Sequence, residues 1–214
     1  MAIGKEIVQR YIRNMTLALA ILVFAAVGLY LAGLYWDYAI AHNSMFSFRV
    51  ADNVGVDLYG AIIPLVAGAC SAALFVFFKF SSTRFAVCFV VSLAFAFFIF
   101  QVTKEGLMGR PLVFALLSGL ATALIIFLSR PLAETKGKSL ASLLASLSCA
   151  AFSLLLLDLV YTPFFYGSTI GGYGLTDGVL ISTMYAPLWA TIAASIITLL
   201  VQTFVFLKNY ALRK

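Results

Sequence analysis

Six stretches of about 20 apolar residues occupy most of this chain, and they constrain its fold more than any other feature. The hydrocarbon core of a bilayer is about 30 Å thick, so each stretch is long enough to cross it as an α-helix. Of the 214 residues, 64% are hydrophobic and 10% are charged, which excludes an ordinary soluble surface. The sequence therefore predicts an all-α, polytopic integral membrane protein with six transmembrane helices.

The chain divides into three parts by its hydropathy pattern. We expect a short cytoplasmic amphipathic helix over residues 1–14, a six-helix transmembrane domain over residues 15–207 and a basic cytoplasmic tail over residues 208–214. The first apolar run lacks a convincing cleavage site and is expected to be an anchor. The six spans are predicted near residues 15–36, 58–79, 85–101, 111–129, 140–161 and 179–207.

The distribution of basic residues predicts the orientation. Eleven Lys and Arg residues fall on the side of the termini, and only Arg49, Lys104 and Arg110 fall on the other. Because positive charge is retained in the cytoplasm, we expect both termini there and the protein in the cell membrane. The basic residues cluster at the ends of apolar runs, which indicates topology and a bilayer partner rather than a nucleic-acid partner.

Small residues recur at four-residue spacing in two spans, and such rows let helices approach closely. They are expected to form a packing seam within one chain. A homo-oligomer, or a contact with partners in a membrane complex, is the alternative. The rows consist of Ala115, Gly119 and Ala123 in the fourth span and Ala141, Ala145, Cys149 and Ser153 in the fifth.

Three acidic residues near span ends are the first candidates for a functional site. Asp57, Asp158 and Asp177 are all expected in the outer half of the membrane, where they would converge on one outward-facing polar cavity. Asp57 and Asp177 each precede a span, so they are alternatively expected only to cap free helix amides. Asp158 lies towards a helix C-terminus, where the helix dipole disfavours an acid, and is therefore the more informative residue.

A glycine-rich segment between the fifth and sixth spans is the second candidate. It includes Gly171, Gly172, Tyr173, Gly174 and Thr176. Glycine adopts positive φ angles without strain and exposes backbone amides. Non-helical backbone at membrane depth is tolerated where it lines a cavity, so the segment predicts a re-entrant loop that binds a substrate or ion. An exposed external loop is the alternative.

No cofactor and no metal site are expected. The single histidine, His42, excludes bis-histidine haem ligation and histidine-based zinc or copper sites within this chain. Cys70, Cys88 and Cys149 all lie in apolar stretches and are interpreted as packing residues. The sequence also contains no phosphate-binding glycine motif.

Three blocks of the sequence resemble an uncharacterised prokaryotic membrane family, domain of unknown function 1614. They are NVGVDLYGAIIPLVAG at residues 53–68, LLLLDLVYTP at 154–163 and STIGGYGLTDGVLIS at 168–182. The most specific part is the Gly-Gly-x-Gly-x-x-Asp-Gly pattern at 171–178. That family has no established activity, so the resemblance implies a membrane fold and no particular reaction.

The last two blocks also resemble the catalytic pair of the presenilin and signal-peptide-peptidase class of intramembrane aspartyl proteases. Asp158 followed by apolar residues matches the first element, and the segment from Gly174 to Asp177 matches the second, with Thr176 in place of a glycine. The resemblance implies Asp158 and Asp177 as a catalytic dyad. Two such carboxyls in low dielectric share a proton, so that one acts as acid and the other as base.

The sequence leaves three functional hypotheses open. The first is a small transporter or channel-like protein with an outward-facing polar cavity lined by Asp57, Asp158, the glycine-rich segment and Asp177. The second is an intramembrane aspartyl protease that uses Asp158 and Asp177. The third is a non-catalytic subunit of a membrane complex, in which the acids only cap helices.

Overall fold

Five long helices form the framework of the described part of the chain. The computed structural model describes residue 9 and residues 47–51, 54–103, 106–128, 137–161, 169–171 and 178–211. A π-helical turn, Leu58–Ile62, leads directly into the first of these helices. Each helix, the first together with this turn, is long and apolar enough to cross a membrane, so the chain is an α-helical membrane protein. The helices are α1 (Ile63–Phe77), α2 (Ser82–Ile99), α3 (Pro111–Leu128), α4 (Lys138–Tyr161) and α5 (Gly178–Ala211).

These helices coincide with the second to sixth predicted spans to within a few residues at most ends. The first predicted span, residues 15–36, lies outside the described residues, as does the amphipathic segment at 1–14 except for residue 9. Helix α5 continues to Ala211, past the predicted end of the last span at residue 207. Residues 208–211 contain no Gly or Pro that would stop the helix.

The connections contain short strands that the hydropathy pattern did not predict. β1 (Ser47–Ala51) pairs antiparallel with β2 (Val54–Asp57), and β3 (Gln101–Thr103) forms a hairpin with β4 (Gly106–Met108). β5 (Thr169–Ile170) adds to the first sheet by pairing parallel with β2. Strand pairing gives these non-helical amides and carbonyls the hydrogen bonds that helices provide elsewhere.

The two ends of the helix bundle are built differently. At the end that carries the strands, the Phe100 ring packs on the Phe114 ring with centroids 5.8 Å apart and lies against Gly109 and Gly178. We call this the strand-bearing end. At the other end, the Phe80 ring lies against Gly137 just before α4. We call this the turn end, because the tight α1–α2 turn lies there.

Among the described helices, α4 is central and contacts the other four. Buried hydroxyl groups join it to α1 in both directions. The Ser71 hydroxyl donates to the Leu144 carbonyl at 2.9 Å, and the Ser148 hydroxyl donates to the Gly68 carbonyl at 2.9 Å. These bonds satisfy polar side chains that would otherwise be costly to bury between helices.

The predicted rows of small residues are buried within the chain. A methyl group added to Gly119 would lie 2.5 Å from the Ala186 carbonyl oxygen, so α3 and α5 approach as closely as their backbones permit at this point. These rows pack helices of one protomer against each other and are not available to a second chain. The buried members are Ala115, Gly119, Ala123, Ala141, Ala145, Cys149 and Ser153.

Candidate functional site

Asp57 closes β2 and holds the π-helical turn that follows. Its carboxylate Oδ1 accepts a hydrogen bond from the backbone amide of Gly60 at 2.8 Å, and the side chain is half-buried. An acid three residues before a free amide is the usual arrangement of a helix N-terminal cap. The capping interaction expected for Asp57 is therefore present, and it binds an amide of the π-helical turn.

Asp158 lies in the last turn of α4 and binds a segment remote in sequence. Its carboxylate Oδ2 accepts a hydrogen bond from the backbone amide of Gly171 at 2.9 Å. The side chain is half-buried. An acid at this position opposes the dipole of its own helix, and an amide from another segment offsets that cost. Asp158 thus attaches the glycine-rich segment to the end of α4.

The two glycines whose amides donate to these carboxylates are in contact with each other. A methyl group built on Gly60 would overlap the backbone of Gly171, and one built on Gly171 would overlap the backbone of Gly60. Gly171 also has a φ of +68°, a conformation that other residues adopt only with strain. We call the set Asp57, Gly60, Asp158 and Gly171 the glycine junction.

The sheet holds the glycine junction in register. Gly55 lies opposite Thr169 and Val56 opposite Ile170 in the parallel β2–β5 pair. A methyl group at position 55 would lie 2.8 Å from the Thr169 hydroxyl oxygen, so a larger residue there would force the Thr169 side chain to move. Helix α5 also contacts the π-helical turn, so α1, α4, α5 and the sheet all meet around the junction.

The remaining predicted site residues lie outside the described residues. They are Gly172, Tyr173, Gly174, Thr176 and Asp177. The structure therefore brings together Asp57, Asp158 and Gly171, and the meeting of Asp158 with Asp177 stays a prediction. Gly60 was not singled out from the sequence. Its signal was the Asp-x-x-Gly spacing after a strand, which suits an acid that caps an amide three residues ahead.

An apolar cavity of about 560 Å³ adjoins the glycine junction. Val56, Ala61, Leu159 and Ile170 line it, and each is the sequence neighbour of one junction residue. The polar cavity expected from the sequence would expose carboxylates to a solute. The cavity described here instead presents almost entirely hydrocarbon to its contents.

Titratable and metal-binding groups elsewhere are sparse in the described part of the chain. No cluster of three or more His, Cys, Asp or Glu residues that would hold a metal ion occurs there. Cys88 and Cys149 are buried free thiols, and Cys70 is an exposed one.

Lys138 is a buried cation that the sequence did not single out. It is 5% exposed, its Nζ donates to the Phe127 carbonyl at 3.3 Å and it lies 5.2 Å from the centre of the Phe127 ring. It stabilises the C-terminus of α3, where the helix dipole favours a positive charge.

The candidate site is thus a pair of half-buried carboxylates, each of which accepts the amide of one of two touching glycines, beside an apolar cavity. No family model, no curated protein and no solved structure matches this chain.

Proposed function

We propose that this chain is a small transport protein of the cell membrane whose solute path passes the glycine junction. The observation that supports the proposal is the pair of half-buried carboxylates, Asp57 and Asp158. They accept hydrogen bonds from the backbone amides of two glycines that touch each other. Secondary transporters bind ions and substrates where spanning helices are interrupted, because unwound backbone there offers polar groups at membrane depth. Here the π-helical turn and the segment around Gly171 supply such backbone.

The proposal includes the arrangement expected from the sequence. Residues 15–36 form a sixth span, both termini are cytoplasmic, and the strand-bearing end faces outward. The distribution of basic residues supports this orientation. Single cysteines placed at Arg110 and Lys79, in a chain whose native cysteines are replaced by alanine, test it in cells. A membrane-impermeant maleimide should label Arg110→Cys and spare Lys79→Cys, and the reverse pattern would overturn the orientation.

Flux through proteoliposomes tests the transport proposal. Asp158→Asn is the decisive variant, because the amide oxygen of asparagine still accepts the Gly171 hydrogen bond while the charge is lost. Flux of protons, monovalent cations or a small solute should disappear in this variant. The control is Lys79→Gln, an exposed charge change at the turn end, which should keep the flux. Equal flux in Asp158→Asn and the unchanged protein would refute the assignment.

An intramembrane aspartyl protease is the second candidate, and one contact favours it. Gly171, which binds the Asp158 carboxylate, is six residues before Asp177 in sequence, so the chain tethers Asp177 within about 20 Å of Gly171. Cleavage of a transmembrane reporter peptide should then be lost in both Asp158→Asn and Asp177→Asn. Cleavage that persists in either variant would exclude the dyad.

The third candidate, a non-catalytic subunit of a membrane complex, is supported by the capping bond of Asp57. Partners would bind the exposed faces of the outer helices, because the small-residue rows are buried within the chain. Phe98, 87% exposed on α2, is a suitable position to test. Copurification that is lost in Phe98→Ala but retained in Asp158→Asn would favour this candidate over transport.

A further inference from the structure

The apolar cavity lies between two helices that diverge along their length. Helices α1 and α2 both pack on α4, yet they contact each other much less than either contacts α4. They meet near the turn end, where the rings of Phe75 and Phe85 lie 5.3 Å apart. Towards the strand-bearing end they separate and leave a groove. We call this the α1–α2 groove.

The walls of the α1–α2 groove are hydrocarbon throughout. Ile62 of the π-helical turn and Leu65 of α1 form one side. Phe89 of α2 forms the other, and Phe152 and Leu155 of α4 form the floor. The volume of about 560 Å³ falls within the range of protein ligand sites, roughly 300–1,000 Å³. If a space of this size were empty, the side chains that line it would lack packing partners, and the dispersion energy of those contacts would be lost.

The open side of the groove continues into the lipid-facing surface. Leu65 is 50% exposed and Leu159 is 57% exposed, and both lie in helices that are apolar enough to span the membrane. The medium on that side is therefore the acyl region of the bilayer. A single hydrocarbon chain fits the space.

One end of the groove lies beside the polar groups of the glycine junction. Val56, Ala61 and Ile170 close it beside the glycine junction, and Gly60 is the first residue of its candidate membrane span. Asp158 lies in the last turn of its spanning helix, so the junction is near one end of the apolar spans, and acyl chains lie towards their middle. A chain that enters at the junction would run along α4 towards the contact of Phe75 with Phe85.

We propose that the α1–α2 groove binds one acyl chain of a membrane phospholipid, with the headgroup beside the glycine junction. An acyl chain is in an apolar environment both in the groove and in the surrounding lipid, so the hydrophobic effect does not favour the groove. Close packing of the chain against the groove walls favours binding there. This binding site is independent of the transport proposal, because it requires no solute to cross.

Photolabelling of the full chain in lipid nanodiscs tests the proposal. The nanodiscs contain phosphatidylethanolamine and phosphatidylglycerol, with a small fraction of a phosphatidylethanolamine that carries a diazirine on one acyl chain. Labelling of peptides that contain Leu65, Phe89 and Leu155 should saturate at one probe per chain as the probe fraction rises. Labelling at Leu124, 48% exposed on α3 and outside the groove, should rise in proportion without saturating.

Two variants separate a groove from general lipid contact. Leu155→Trp fills the floor and removes about ten packing contacts from a bound chain, so groove labelling should fall about tenfold. Leu124→Trp is the matched control and should leave groove labelling unchanged. If Leu155→Trp does not fold, Leu65→Trp fills the same groove from its open side.

Two results would overturn the proposal. The first is groove labelling that rises in proportion to the probe, as at Leu124, because the groove would then hold only exchanging bulk lipid. The second is absence of groove labelling together with cross-links from Leu65 or Phe89 to residues 15–36, because the chain itself would then cover the groove. The saturation measurement needs no variant and decides the question even if both groove variants unfold.

Discussion

Gly60 and Gly171 lie in backbone contact, although 110 residues separate them in sequence and neither belongs to a regular α-helix. The Gly60 amide donates a hydrogen bond to the Asp57 carboxylate, and the Gly171 amide donates one to the Asp158 carboxylate. The contact fixes the start of α1 against the end of α4. It is the point from which both the proposed solute path and the proposed lipid site extend.

Gly171→Ala should destabilise the protein more than another glycine substitution in the same conformation. A left-handed alanine costs about 1–2 kcal/mol, and overlap with Gly60 adds about 1–3 kcal/mol. Gly137→Ala is the control, since Gly137 has a φ of +79° but meets only the movable Phe80 side chain. Free energies of unfolding in mixed micelles should differ by at least about 1 kcal/mol. Equal losses would mean that the Gly60 backbone moves aside without cost.

Replacements of Asp158 should separate its hydrogen bond from its charge. Asp158→Leu leaves the Gly171 amide without this acceptor and should cost about 1–3 kcal/mol of unfolding free energy. Asp158→Asn keeps an acceptor oxygen and should cost less than about 1 kcal/mol. If both variants unfolded alike, the carboxylate charge rather than the hydrogen bond would stabilise the junction.

Lys138→Met should loosen the junction of α3 with α4. The variant loses the hydrogen bond to the Phe127 carbonyl and the cation–π contact with the Phe127 ring, which together contribute about 1–2 kcal/mol. Lys79→Met removes an exposed lysine and should change the unfolding free energy by no more than about 0.5 kcal/mol. Thermal unfolding in detergent provides the comparison, and similar melting temperatures for the two variants would contradict the prediction.

Ser71→Ala and Ser148→Ala should each destabilise the contact of α1 with α4 by about 0.6 kcal/mol, the average for hydrogen bonds between membrane helices. Both hydroxyls approach the Leu144 carbonyl, so either one can still bind it when the other is removed, and the double variant should lose more than the sum of the single losses. Thr203→Ala is the control, because its exposed hydroxyl bonds only within α5. Strict additivity in a double-mutant cycle would show that the two serines act independently.

The helical spans were predictable because lipid leaves the backbone few alternatives. An apolar run such as residues 111–129 must satisfy its amides internally, so the observed helix Pro111–Leu128 coincides with it almost residue for residue. Strands such as Thr169–Ile170 were missed. They are two to five residues long and exist only because a partner strand, here Val54–Asp57, lies beside them.

Three of the four residues of the glycine junction could be singled out from the sequence, but the contacts between them could not. Asp57 and Asp158 were singled out because acids are rare in apolar spans, and Gly171 because it belongs to a glycine-rich segment between two spans. Gly60 was missed because one glycine within a predicted span has many explanations. The apolar groove was missed because it depends on the angle between α1 and α2, which no local pattern encodes.

The sequence by itself determined that this protein lies in a membrane and where its five described spanning helices lie, because hydrophobic length and backbone hydrogen bonding are local properties of the chain. Only the tertiary structure decided that the Gly60 and Gly171 backbones touch, that two carboxylates bind their amides, and that α1 and α2 diverge over an apolar space. Those features arise from contacts between segments far apart in the chain, whose geometry depends on how all the helices pack together.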